Sequence, residues 1–98
     1  MKTLFSLGAV VATPGAIDAF RESGEAIDGS PLLMFPYLKR HASGDWGVVD
    51  GHDRRANEQA LRTGARLLSA YTLPGVRKVW IITEADRSST TILLPEEY

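Results

Sequence analysis

The spacing of apolar positions along the chain changes character several times, and each change predicts an element. From Leu4 to Ala12 apolar residues run almost unbroken and are rich in Val, Leu and Phe, which predicts a buried strand. Ala16, Ile17 and Phe20 then recur at helical spacing behind Thr13-Pro14. Threonine caps free backbone N–H groups, and proline at the first helical position loses no needed donor. Asp18 lies near that helix start, where the macrodipole favours an anion, and Gly24 predicts the stop. Glu25 to Ser30 reads as a loop. Ser30-Pro31 repeats the cap signal before the apolar run Leu32 to Phe35, but Pro36 would break a helix running through it. The prediction is a short turn followed by a helix from about Pro36 to His41. Ser43 to Gly47 follows as a tight polar loop carrying Trp46.

Val48 to Gly51 is connection. A third helix starts at Asp50 or Asp53 and runs to Thr63, with Ala56, Ala60 and Leu61 facing inward and Gly64 as its stop. The period then shortens. Arg66 to Thr72 places Leu67, Ser69 and Tyr71 on one face and Leu68 and Ala70 on the other. Leu73-Pro74-Gly75 signals a turn. Val76 to Thr83 follows, dense enough at Val79 to Ile82 for a central strand with Trp80 in the core. Glu84 to Ser88 is a polar turn, and Thr90 to Leu94 is the last strand, stopped by Pro95. The class is α+β: an N-terminal strand, two or three helices, then a three-stranded antiparallel meander. The helices cover one face of a mainly antiparallel sheet.

A chain of 98 residues makes one such domain, spanning 1–98. A formal net charge of -1 excludes a broadly basic nucleic-acid coat and a highly acidic DNA mimic. With no Cys, disulfides, thiolate metal sites and cysteine nucleophiles are excluded, which fits a reducing cytoplasm. The first residues superficially mimic a signal peptide, but the apolar stretch is short and interrupted and reads better as a strand. No apolar run approaches the ~20 residues that span a bilayer.

The candidate chemistry is sparse. His41, Asp45, His52, Asp50 and Asp53 hold the only ligand types that cluster, yet D-G-H-D matches no strong metal template, and helix capping explains the aspartates. No metal and no cofactor is expected. His41 with Asp45 could form an acid/base pair; a protonated histidine favoured by a helix C-terminus is the structural alternative. There is no G-x-S-x-G elbow, P-loop or G-x-G-x-x-G. Thr83 to Thr91 is the densest polar stretch, readable as a recognition surface or as an ion-paired turn that fixes register. Arg54, Arg55, Arg62 and Arg66 form a weak basic stripe; a solvated face paired with Asp53 and Glu58 is its plain alternative. Trp46 either plugs a core edge or presents an anchor to a partner.

Two segments, Val10 to Ala16 and Arg40 to Gly47, together with the tail from Leu67 to Tyr71 and from Trp80 to Tyr98, resemble a family of small proteins of bacterial plasmids and integrative elements. Its members are often labelled plasmid-related or as a type I restriction endonuclease subunit M. The stretch Glu25 to Phe35 is longer and more apolar than that pattern. The methyltransferase label fails on residues, because the chain has neither a cofactor-binding domain nor an Asn/Asp-Pro-Pro-aromatic motif. The resemblance implies a cytoplasmic accessory protein of mobile elements that modulates host defence. The expected function is therefore non-enzymatic protein binding, with anti-CRISPR or anti-restriction inhibition as the implied role. Asp45, Trp46, Glu84, Asp86 and Arg87 are the expected contacts with a protein partner, possible targets being host defence complexes; no membrane partner is expected. The alternative is a small nucleic-acid-binding regulator using Arg54, Arg55, Arg62 and Arg66.

Overall fold

A computed structural model describes residues 2–23, 34–75 and 77–98. Its elements are β1 (Ala9–Ala12), α1 (Pro14–Glu22), α2 (Phe35–Ala42), α3 (Gly51–Thr63), β2 (Leu67–Thr72), β3 (Lys78–Thr83) and β4 (Ser89–Leu93), with a closing 3-10 turn at Pro95–Glu97. The class is α+β, as the pattern predicts. The sheet is mixed: β2, β3 and β4 form the antiparallel meander, and β1 adds to β4 in parallel, giving the order β1-β4-β3-β2.

Local signals account for the helix ends. The Thr13 side chain accepts from the Ala16 N–H at 3.1 Å, with Pro14 opening α1. Asp50 accepts from the Asp53 N–H at 2.8 Å to start α3, and Gly64 ends it at φ 80°, a left-handed conformation that costs glycine little. Asp18 falls past the first turn of α1 and instead pairs with Arg21 at 3.6 Å. α1 ends at Glu22 with Ser23 as its cap. The expected stop at Gly24, the loop from Glu25 and the Ser30-Pro31 cap lie outside the described residues, as do Leu32 and Leu33. Of that apolar run, Met34 is buried in the core and Phe35 is exposed.

The main core lies between the helices and one sheet face. Ala16, Ala19 and Phe20 of α1 and Leu38 of α2 pack on Tyr71, Val79, Ile81 and Ile92. A second cluster joins Trp46, Ala60 and Leu67, with Phe5, Val49 and Leu61 against it.

Three expectations change. The N-terminal strand is not buried: it covers only Ala9–Ala12, at the edge of the sheet, with Val10 and Val11 exposed. Asn57, not Ala56, shares the inward face of α3 with Ala60. The tryptophans exchange roles. Trp80 lies half-buried on the face opposite the helices, edge-on to Tyr98 at 5.7 Å, while Trp46 is only 4% exposed. Trp46 is drawn in because its loop pairs with β2 through a Gly47–Ala70 bridge, and its indole N–H finds Glu58 at 2.8 Å.

Candidate functional site

His41 is the most chemically loaded buried side chain. It projects from α2 onto the sheet, fully enclosed, with Phe5 and Trp46 edge-on to its ring. Nδ1 lies 2.6 Å from Ser69 Oγ and Nε2 lies 2.9 Å from Thr83 Oγ1. Thr83 Oγ1 is 2.7 Å from Thr90 Oγ1, and Thr90 donates to the Leu7 carbonyl at 2.7 Å. Proton counting fixes the direction of this chain. Each hydroxyl has one proton, and a carbonyl only accepts. Thr90 spends its proton on Leu7, so Thr83 donates to Thr90, His41 donates to Thr83 through Nε2–H, and Ser69 donates to Nδ1. The ring is a neutral Nε2–H tautomer. Burial, with a smaller contribution from the Arg87 charge, lowers its pKa to about 4. His41 is therefore neither a protonated dipole partner nor the base of a pair with Asp45.

Asp45 is occupied elsewhere. Its carboxylate accepts from Arg40 Nε at 2.8 Å and from the Gly47 N–H at 3.2 Å, and the Arg40 contact is the main cause of its lowered pKa. The Asp45 carbonyl accepts from the Tyr71 hydroxyl at 2.6 Å, and burial pushes that phenol up to about 12. These bonds shape the loop that seats Trp46. A buried Trp46 is a plug in the core and not an exposed anchor.

The turn after β3 is also used internally. Arg87, at φ 60°, aims its guanidinium at backbone carbonyls: Ala65 at 2.7 Å, Glu84 at 3.2 Å, and Ala60 at 3.2 Å near the end of α3. The Ala60 carbonyl also takes the Gly64 N–H and the Glu84 carbonyl the Arg87 N–H, so the cation adds a second donor to each and ties the turn to the end of α3. Asp86 accepts from the Ser88 N–H at 2.9 Å, and its hydrogen bonds to Ser88 lower its pKa. Glu84 pairs with Arg66 at 3.5 Å. Arg66 follows the end of α3 and also meets the Tyr98 hydroxyl, so it leaves the helical stripe.

The remaining sequence candidates lie on the exposed face of α3. Asp50, His52 and Asp53 bring ligand atoms within 4.8 Å of one another, in the open, with Asp50 acting as helix cap and His52 3.7 Å from Asp53. Arg54, Arg55 and Arg62 are exposed. The plain pairing with Glu58 is not formed, since Glu58 turns to Trp46. Arg55, Glu58 and Arg62, with His52 and Gln59, line a shallow depression of about 530 Å³.

Sequence reading missed Asn57 and Glu97. Asn57 donates to the Leu68 carbonyl at 2.7 Å and accepts from the Leu68 N–H at 3.0 Å. Its signal was available: a polar residue three positions before the inward-facing Ala60. Glu97 accepts from the Thr13 hydroxyl at 2.6 Å and the Leu94 N–H at 2.8 Å, tying the tail to the start of α1. Its partner stands 84 positions away and nothing local announces it.

Comparisons with protein-family models, with curated proteins and with solved structures find no match to this chain. Among the described residues no helix is long and apolar enough to cross a membrane.

Proposed function

We propose that this chain is a non-enzymatic, protein-binding accessory protein, and that the exposed face of α3 carries the contact. The supporting observation is the mixed charge of that face. Arg55 and Arg62 lie two helical turns apart, about 10 Å along the axis, with Glu58 between them on the same face. A polyanion would meet the Glu58 carboxylate as a like charge, whereas a protein surface of alternating charge complements this row. A net charge of -1 favours the same choice. The groups best suited to chemistry are committed to structure: His41 is enclosed and neutral, and Arg87 is spent on carbonyls.

The finer reading, a cytoplasmic accessory of bacterial mobile elements that inhibits a host defence complex, is supported by the resemblance of the Val10–Ala16 and Arg40–Gly47 segments and the tail alone. The test is affinity capture from bacterial lysate with wild-type protein and an R55E/R62E variant, each with and without nuclease. The expected result is a stoichiometric, nuclease-resistant protein held by the wild type and lost by the variant, whose melting temperature is unchanged. Nuclease-sensitive recovery would instead favour nucleic-acid regulation through Arg54, Arg55 and Arg62. Equal recovery by both proteins would remove this face from the reading.

A further inference from the structure

The two edges of the sheet are finished differently. Along β2, the residues whose backbone groups point away from β3 include Leu68 and Ala70. Asn57 takes both groups of Leu68, and the Trp46–Val48 loop takes both groups of Ala70, at 3.0 Å to the Trp46 carbonyl and 2.7 Å from the Val48 N–H. At the other edge, β1 bonds to β4 through alternate residues: the Ala9 N–H reaches Ser88 and the Thr13 N–H reaches Ile92. That parity turns the N–H and C=O groups of Val10 and Ala12 outward. Among the described residues nothing accepts or donates to them.

Proteins that leave an edge open guard it with lysine, proline or a bulge. β1 has none of these. No ionisable residue occurs from Thr3 to Ile17, and Pro14 lies beyond the strand. Val10 and Val11 are 45% and 52% exposed, on opposite faces of the same short strand. The outward groups stand symmetrically about Val11, so the edge is complementary to itself. If two such strands run antiparallel, Val10 of one copy faces Ala12 of the other, and the same pair recurs across the axis. Each pair exchanges two N–H···O=C bonds. Uncharged edges bring no repulsion to this approach.

We propose that β1 is a self-association edge: two copies of this chain join β1 to β1, antiparallel about a two-fold axis at Val11, so that their sheets become continuous. The two Val11 side chains meet on the axis as a non-hydrogen-bonded pair, with Cα atoms about 4.5 Å apart. The positive φ of Gly8 (+64°) and Pro14 bound the strand to this short window. The contact is thus small, and the dimer exchanges with monomer as concentration changes.

Sedimentation equilibrium of the purified chain from about 1 µM to about 1 mM tests this. The wild type is expected to shift from monomer to dimer. Val11→Lys sets two like charges together on the axis and should raise the dissociation constant at least about tenfold. Val10→Pro removes an outward N–H that no ladder bond uses and should act in the same direction. Circular dichroism melts check both variants for folding; should Val10→Pro fail to fold, the exposed Val11 position decides alone. A wild type that stays monomeric throughout overturns the proposal. So does a dimer whose dissociation constant is unchanged by a folded variant. Neither result depends on the α3 contact surface, which plays no part in this experiment.

Discussion

The β2 and β1 edges show two ways a small sheet can end. β2 is sealed at Leu68 by a side chain imitating a strand and at Ala70 by a loop bonding as one, so the edge groups of both residues are consumed within the fold. Among the described residues nothing pairs with the outward backbone groups of β1, whose Val10 and Val11 are exposed. The difference teaches that this domain places its polar satisfaction where the core is deepest. Leu67, Ser69 and Tyr71 of β2 are buried, and an unpaired N–H or C=O beside them would cost about 1–3 kcal/mol. At β1 water can satisfy the outward groups, and no seal is required.

The most severe way to break the sealed edge is Gly47→Ala. A Cβ there would sit 1.9 Å from the Ala70 carbonyl oxygen, at a φ of +75° that disfavours any side chain. The bridge to β2 must open and Trp46 must leave its site. We expect a loss of more than about 4 kcal/mol, visible as an unfolded or molten circular dichroism spectrum at 25 °C. Asn57→Ala is milder. It strands both Leu68 groups while α3 keeps its helix propensity, and urea titration should show a loss of roughly 2–4 kcal/mol.

The His41 chain links the two edges, since it runs from Ser69 on β2 through β3 and β4 to Leu7 just before β1. It also makes stability depend on pH. The folded-state pKa of about 4 lies below the ordinary value of 6.5, so the unfolded chain takes up the proton first. The contribution is complete above pH 6.5 and is lost as pH falls towards 4, by about 3 kcal/mol in all. Urea midpoints measured across that window should fall for the wild type. A His41→Gln chain, though less stable at pH 7, should lose this portion of the slope. The lowered pKa values of Asp45, Asp86 and Glu97 act in the same sense at lower pH. The smallest effect on stability is expected at the open edge, where Val11→Lys should change unfolding free energy by no more than about 0.5 kcal/mol.

The helix ends were legible in the sequence because each is local chemistry: Thr13-Pro14, Asp50 and Gly64 cap what they were expected to cap. So was the meander, whose Leu67, Ser69 and Tyr71 face the core as the alternation requires. The strand order was not, because parallel pairing of β1 with β4 joins segments about 80 residues apart and leaves no mark in local periodicity. Trp80 misled because Val79 to Ile82 is apolar on both faces, so alternation cannot assign one to the core. Trp46 stands among polar residues and is buried by the Asp45–Gly47 turn and Glu58, partners that only the fold assembles. Arg87 and Asp86 look like recognition residues by type; the turn places the first on carbonyls and the second on the Ser88 N–H.

Amide hydrogen exchange by NMR tests the contrast between the edges most directly. In dilute protein, Leu68 and Ala70 should exchange only through global unfolding, while Val10 and Ala12 exchange at least about 100-fold faster and slow as protein concentration rises. Val10 and Ala12 amides as protected as those of Leu68 and Ala70 in dilute protein would contradict the account.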